Sequence, residues 1–217
     1  MKDRPPIGFI VEGHGEYNCY PSLFCRIVDA RGIHVPRVNA GGCGSIVKRI
    51  DEQLTDLFLA SNPLNVIVTV DLHDVLEKGL ANDCVELVHK LNRKIKEWRI
   101  AAKSDYRLHP LPNKIVCIVQ IRKFESWIIA DIDGLKYANL LKSGIDIIKD
   151  SETITNPCKW LKDNLLIDGC VKSPNVAKKL ISALNPKRMR MHNRSFDKFY
   201  RDTMAFYKKW LQYISQK

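Results

Sequence analysis

GFIVEGHGEY, residues 8–17, poses the first question of this sequence: an apolar run built for burial ends on Glu12, and glycines flank His14. Residues 7–12 read as a buried strand. Gly13 and Gly15 permit a sharp turn into an amphipathic helix, which the apolar spacing carries from about Tyr17 to Ala30. Gly32 is the expected stop for that helix. Strand, glycine turn and helix open an α/β unit, and the chain then repeats the alternation. Residues 34–39 form a short second strand, with Pro36 favouring an edge position. NAGGCGS, residues 39–45, is a loop leading into Ile46, Val47, Ile50, Leu54, Leu57 and Phe58 at helical spacing, and Asn62-Pro63 breaks that helix. Residues 65–70 are a continuous apolar run rich in β-branched residues, the pattern of a strand covered on both faces in a parallel sheet. Cys84, Val85, Leu87, Val88, Leu91, Ile95 and Trp98 mark a long helix, and residues 114–121 form another buried strand after a proline-containing loop. Strands alternating with helices predict a doubly wound, mostly parallel α/β sheet flanked by helices.

After about Gly134 the pattern turns helical and basic. The expected organisation is therefore an α/β domain over residues 1–134 and a basic helical C-terminal region, 135–217, packed on it. A chain of 217 residues that is 45 % apolar, with no internal repeat, can bury a substantial core. Its apolar runs are strand-sized and too short to span a bilayer. The first residues lead into one short apolar run without the longer core and small-residue site of a signal peptide. Seven cysteines without a C-x-x-C pair fit neither a disulfide framework nor a zinc site, so free thiols in a reducing cytoplasm are expected. Residues 171–217 carry +10 of the net charge of +11. A basic segment beside a nearly neutral body suggests a polyanion such as nucleic acid, by phosphate neutralisation and counterion release. A solvated helical face with an acidic protein partner is the alternative. Lys187, Arg188, Arg190 and Arg194, in the densest cluster, are the candidates for phosphate contacts.

In open parallel sheets, sites form beyond the C-terminal ends of the strands. Three strand ends here carry acids: Glu12, then Asp71 and Asp74 in VDLHD, then Glu125 in RKFESW. Carboxylates converging on one rim repel one another unless a cation neutralises them, and oxygen ligands suit Mg²⁺ or Mn²⁺. A metal held by carboxylates beside a basic surface is apparatus for phosphoryl transfer on nucleic acid. Lys123, next to Glu125, can stabilise charge on a transferring phosphate. Taken singly, each feature also has an ordinary account: a strand-to-helix turn at EGHGE, and turn chemistry at NAGGCGS, which lacks the spacing of a nucleotide-binding P-loop.

These residues resemble the TOPRIM catalytic domain, with a glutamate after the first strand and D-x-D after a later one. The likeness is closer to the TOPRIM-like bacterial proteins of domain of unknown function 4276. Their first motif resembles E-G-x-x-E, here Glu12 to Glu16, and their second F-E-x-W-x-x-A-D, here Phe124 to Asp131. Ser195-Phe196 also fits, and the first motif is shared with TOPRIM nucleases of the OLD type. The resemblance implies a TOPRIM-like, Rossmann-like fold and a Mg²⁺- or Mn²⁺-dependent nuclease, encoded beside a partner ATPase in phage-defence or mobile-element loci. By that likeness Glu12 and Glu16 hold metal or handle a proton, Asp71 and Asp74 hold metal, Glu125 completes a second position and Asp131 supports it from behind. One departure stands out: the second acid of D-x-D would fall at position 73, which is His73. Alternation along an extended chain points Asp74 the other way, unless a turn brings it back. Alternatively His73 is itself a ligand, which favours Mn²⁺, or the site is degenerate and the module binds nucleic acid or the ATPase without cutting. The sequence leaves an oligomer open.

Overall fold

In the computed structural model the described residues are 4–167 and 172–216, so Cys170 and Lys217 lie outside them. Four parallel strands form one sheet in the order β2-β1-β3-β4: β1 (Gly8–Val11), β2 (Arg37–Asn39), β3 (Asn65–Asp71) and β4 (Lys114–Gln120). The α/β reading and the edge position of β2 both hold. β3 is buried at all seven positions, as its apolar run required.

Period-two alternation divides the strands between two cores. Phe9, Val11, Ile67, Val116 and Ile118 pack on one face of the sheet, and Ile10, Val66, Val68 and Val70 on the other. The second face is covered by α2 (Cys43–Ser61) and α4 (Cys84–Ala102), whose Leu54, Phe58, Leu91 and Trp98 are buried there. Gly8 is needed for close packing: a Cβ there would lie 2.8 Å from Pro63 Cγ and 2.9 Å from Leu57 Cδ2.

The first face is covered by α1 (His14–Val28) and by helices from the C-terminal half. α5 (Glu125–Ile129), α8 (Pro174–Ala183) and α10 (Arg194–Ser215) all contribute to that core. Its centre is aromatic. The Phe9 and Tyr20 rings lie 5.2 Å apart, Trp127 lies 4.9 Å from Phe199, and Phe9 stacks on Phe199 at 5.7 Å. The basic C-terminal region is thus anchored through apolar residues that share a core with β1.

Local chemistry moves several helix ends. α1 starts at His14, three residues before the sequence-based start, and ends with Asp29 as a left-handed cap at φ 51°, before Gly32 is reached. α2 likewise ends on left-handed Asn62. A short helix, α3 (Leu72–Glu77), begins immediately at the end of β3, with Asp71 as its N-cap. α6 (Ile132–Tyr137), α7 (Pro157–Asn164) and α9 (Pro186–His192) complete the α-helices of the described residues.

Candidate metal centre

β1 and β3 are adjacent, so Glu12 and Asp71, which follow and end them, meet at one rim. Asp71 N–H donates to Glu12 Oε2 at 3.0 Å, tying the two strand ends together. α3 then settles where Asp74 goes. Because the helix starts at Leu72, Asp74 is carried around its first turn and returns to the rim. One carboxylate oxygen from each of Glu12, Asp71 and Asp74 lies within 4.8 Å of the others.

The loop at residues 39–45 supports this arrangement. Ala40 N–H donates to Val11 O at 2.9 Å and Gly42 N–H to Glu12 O at 2.8 Å, extending the β1 edge past the strand. Left-handed Gly41 and Gly42, at φ 74° and 118°, let the chain turn there into α2. The Cys43 backbone N–H at the α2 N-terminus then supports the Glu12 carboxylate. This loop, read from sequence as turn chemistry, stabilises an acid of its own chain.

Electrostatics at the rim are dominated by burial. Glu12 is 8 % exposed, Glu16 6 % and Asp71 5 %. Burial raises Glu12 above the ordinary carboxylate value, opposed by the backbone N–H groups of Asp71 and Cys43. Asp71 is pushed well up by burial and by the charges of Glu16, Glu12, Glu125 and Asp74. Glu16 is pushed up to about 8, first by burial and then by Glu125 and Glu12. Burial and mutual repulsion thus make Glu12, Glu16 and Asp71 bind protons more tightly than free carboxylates do.

Two cations flank the acids. Lys123 Nζ lies 3.1 Å from Asp74 Oδ1 and 3.3 Å from Oδ2. Lys78, at the end of α3, donates to Cys43 Sγ at 3.3 Å and faces the fields of Asp74 and Glu12. Beneath the cluster runs a buried polar chain in which Gln120 Nε2 donates to Tyr20 Oη at 3.0 Å and Tyr20 Oη–H to Thr69 Oγ1 at 3.2 Å. Two acceptor atoms at the adjacent ends of β3 and β4, Asp71 Oδ1 and Gln120 Oε1, are buried without a hydrogen-bond partner among the described residues. An unpaired carboxylate oxygen so deeply buried is costly. The donor set around it consists of carboxylate oxygens, which fits a hard divalent cation.

The remaining sequence candidates divide. Glu125 heads α5 close enough for its charge to act on Glu16 and Asp71, and the Cys158 thiol is hydrogen-bonded to it. His73 is exposed, with Nδ1 3.5 Å from Asp74 Oδ1 and 3.9 Å from Glu77 Oε2 on the outer side of α3. His73, Asp74 and Glu77 form a second trio that shares Asp74 with the first.

Asp131 is committed elsewhere. Its carboxylate caps α6 at Gly134 N, accepts from Asn185 N at 2.6 Å, and forms a two-point pair with Arg188 at 2.6 and 3.0 Å. Asp131, read from sequence as support for the metal, thus holds α9 against α6, and Arg188, read as a phosphate contact, is its counter-ion. Arg190 is also engaged, donating to Asp197 Oδ1 at 2.7 Å and lying 4.6 Å over the Tyr200 ring. Lys187 and Arg194 are exposed.

The second and third motifs turn out to be one structure. Trp127 Nε1–H donates to Ser195 Oγ at 2.9 Å, and Ser195 Oγ–H to Asn193 Oδ1 at 2.9 Å. Asn193 Nδ2–H reaches Ser151 Oγ at 2.9 Å and Ser126 Oγ at 3.3 Å, while buried Glu152 accepts from Ser195 N at 2.9 Å. This network fixes α5, and with it Glu125, against the start of α10. Sequence reading did not single out Cys43, Lys78, Tyr20, Gln120 or Asn193. Of these only Lys78, four residues after Asp74, carried a spacing signal.

No helix of the described residues is long and apolar enough to cross a membrane. Neither the curated proteins nor the solved structures contain a match to this chain. Its family is nevertheless defined: a family model matches residues 11–202, spanning every element from the last residue of β1 into α10, and the chain belongs to DUF4276, described as a domain of unknown function.

Proposed function

We propose that the protein is a metal-dependent phosphodiesterase acting on DNA or RNA, built on a TOPRIM-like sheet. The observation that carries this reading is the Asp71 carboxylate: 5 % exposed, one oxygen without a hydrogen-bond partner among the described residues, and within 4.8 Å of oxygens from Glu12 and Asp74. Glu12, Asp71 and Asp74 would hold Mg²⁺ or Mn²⁺, which would supply Lewis-acid polarisation of a phosphoryl oxygen and a more acidic water. Lys123, 3.1 Å from Asp74 Oδ1, is placed to offset charge on the phosphoryl group. Glu16, with its pKa near 8, suits uptake and release of a proton around neutral pH. Tyr20, Thr69 and Gln120 hold the floor rigid, and the Asn193 network orients Glu125.

The position of Asp74 supports an active centre over a degenerate one, because α3 supplies the second acid that His73 does not. The likeness to OLD-type nucleases adds the proposal of a partner ATPase and a role in phage defence or a mobile-element locus, in the cytoplasm.

The test is incubation with single- and double-stranded DNA and RNA in Mg²⁺ or Mn²⁺. Cleavage by the wild type, lost in Glu12→Gln and Asp71→Asn proteins that keep the wild-type circular dichroism, is the expected outcome. Wild-type rates in both variants would overturn the assignment.

A further inference from the structure

A cleft of about 310 Å³ opens beside the acid rim, between α3 and the residues that lead into α7; its lining includes His73, Arg122, Lys123, Thr155, Asn156 and Cys158. Three of these contact the rim directly. Lys123 and His73 lie against Asp74, and the Cys158 thiol bonds Glu125. The cleft is therefore continuous with the candidate metal centre.

We infer that this cleft, with Arg122 as its anchor, holds the backbone phosphate next to the one at the metal centre, on a single nucleic-acid strand. The inference rests on reading the acid rim as a phosphodiesterase centre. Among the described residues, the one hydrogen bond of the Arg122 guanidinium is a long one, 3.3 Å from Nε to Glu152 O. The rest of its planar donor fork is uncommitted and suits the paired oxygens of a phosphate. Thr155, an exposed residue, lines the same cleft. The guanidinium groups of the C-terminal region contrast with it. Arg188 is locked on Asp131, and Arg190 and Arg201 share Asp197. Lys198 is paired with Asp202. Several of the cations that suggested a phosphate-binding tail are thus committed to carboxylates, while a largely uncommitted guanidinium fork stands beside the acids.

Size limits the ligand. The volume is at the lower end of the ~300–1,000 Å³ typical of small-molecule sites, room for one nucleotide unit and not for a duplex. Contacts of this type position a strand without reading its sequence. Glu77 also lines the cleft and opposes an anion there, so its neutralisation should tighten binding.

The experiment is anisotropy of a fluorescein-labelled single-stranded oligonucleotide, as DNA and as RNA, titrated with the full chain in Ca²⁺. The same proteins are titrated with Mn²⁺ by calorimetry. Arg122→Ala should weaken strand binding about tenfold and make the salt slope shallower by about 0.7, the value for one phosphate contact on a single strand. Lys208→Ala, removing the same charge from α10, should stay within twofold, and Glu77→Gln should bind more tightly. Mn²⁺ affinity should be unchanged in Arg122→Ala, which separates this subsite from the centre. Equal losses in Arg122→Ala and Lys208→Ala, or no strand binding by a wild type that takes up Mn²⁺, would overturn the subsite and leave the centre standing. Absence of both Mn²⁺ and strand binding would overturn both.

Discussion

Replacing Glu16 with glutamine should stabilise this protein at alkaline pH and remove much of its pH dependence. Glu16 is 6 % exposed, and its pKa is raised from 4.5 to about 8 by burial and by the charges of Glu125 and Glu12. The folded chain therefore keeps a proton that the unfolded chain releases. The stabilisation from that proton is fully present below about pH 4.5 and is lost as pH rises through 8. At ~1.4 kcal/mol per pKa unit, wild type should lose roughly 4 kcal/mol between pH 5 and pH 8 through this group. For a chain of this size that corresponds to a fall in melting temperature on the order of 10 °C. The glutamine side chain keeps an acceptor oxygen for the backbone groups that Glu16 engages and carries no charge to desolvate. Thermal melts of wild type and Glu16→Gln in EDTA across this range should converge at low pH and diverge steadily above pH 5, with the variant more stable. Parallel curves would refute the claim that Glu16 is a buried carboxyl under electrostatic strain.

Two further substitutions probe how the C-terminal helices are tied to the rim. Asn193→Ala removes the cap on Phe196 N, at 2.8 Å, and the amide that bridges Ser126 and Ser151. It should cost about 2–3 kcal/mol in chemical denaturation, and an unchanged midpoint would show that the network carries no stability. Gly134→Ala would put a Cβ 2.6 Å from the Ala183 carbonyl and against the Asp131 carboxylate. A loss of about 1–3 kcal/mol is expected, and wild-type melting would contradict this close approach of α6 to Ala183 at the end of α8.

The sheet was legible in the sequence because strands covered on both faces leave an unbroken apolar signature, as β3 does. Acids at the strand ends were legible for the same reason: Glu12 and Asp71 interrupt runs that otherwise contain residues suited to burial. Asp74 was not placed, because a six-residue helix is too short to show a period and the strand alternation pointed the other way. The Asp131–Arg188 pair joins residues 57 positions apart, and only the packing of α9 on α6 brings them together. Charge count alone therefore made Arg188 and Arg190 look available when each already had a carboxylate. Helix ends moved for a local reason: Asp29 and Asn62 take the left-handed caps, so Gly32 was not needed.

The central claim is that Glu12, Asp71 and Asp74 form a divalent-cation site. It is tested most directly by calorimetric titration of Mn²⁺ and Mg²⁺ into wild type and Asp71→Asn. Saturable binding by the wild type, abolished by the substitution in a protein that stays folded, is the predicted result. Wild-type affinity in Asp71→Asn would contradict it.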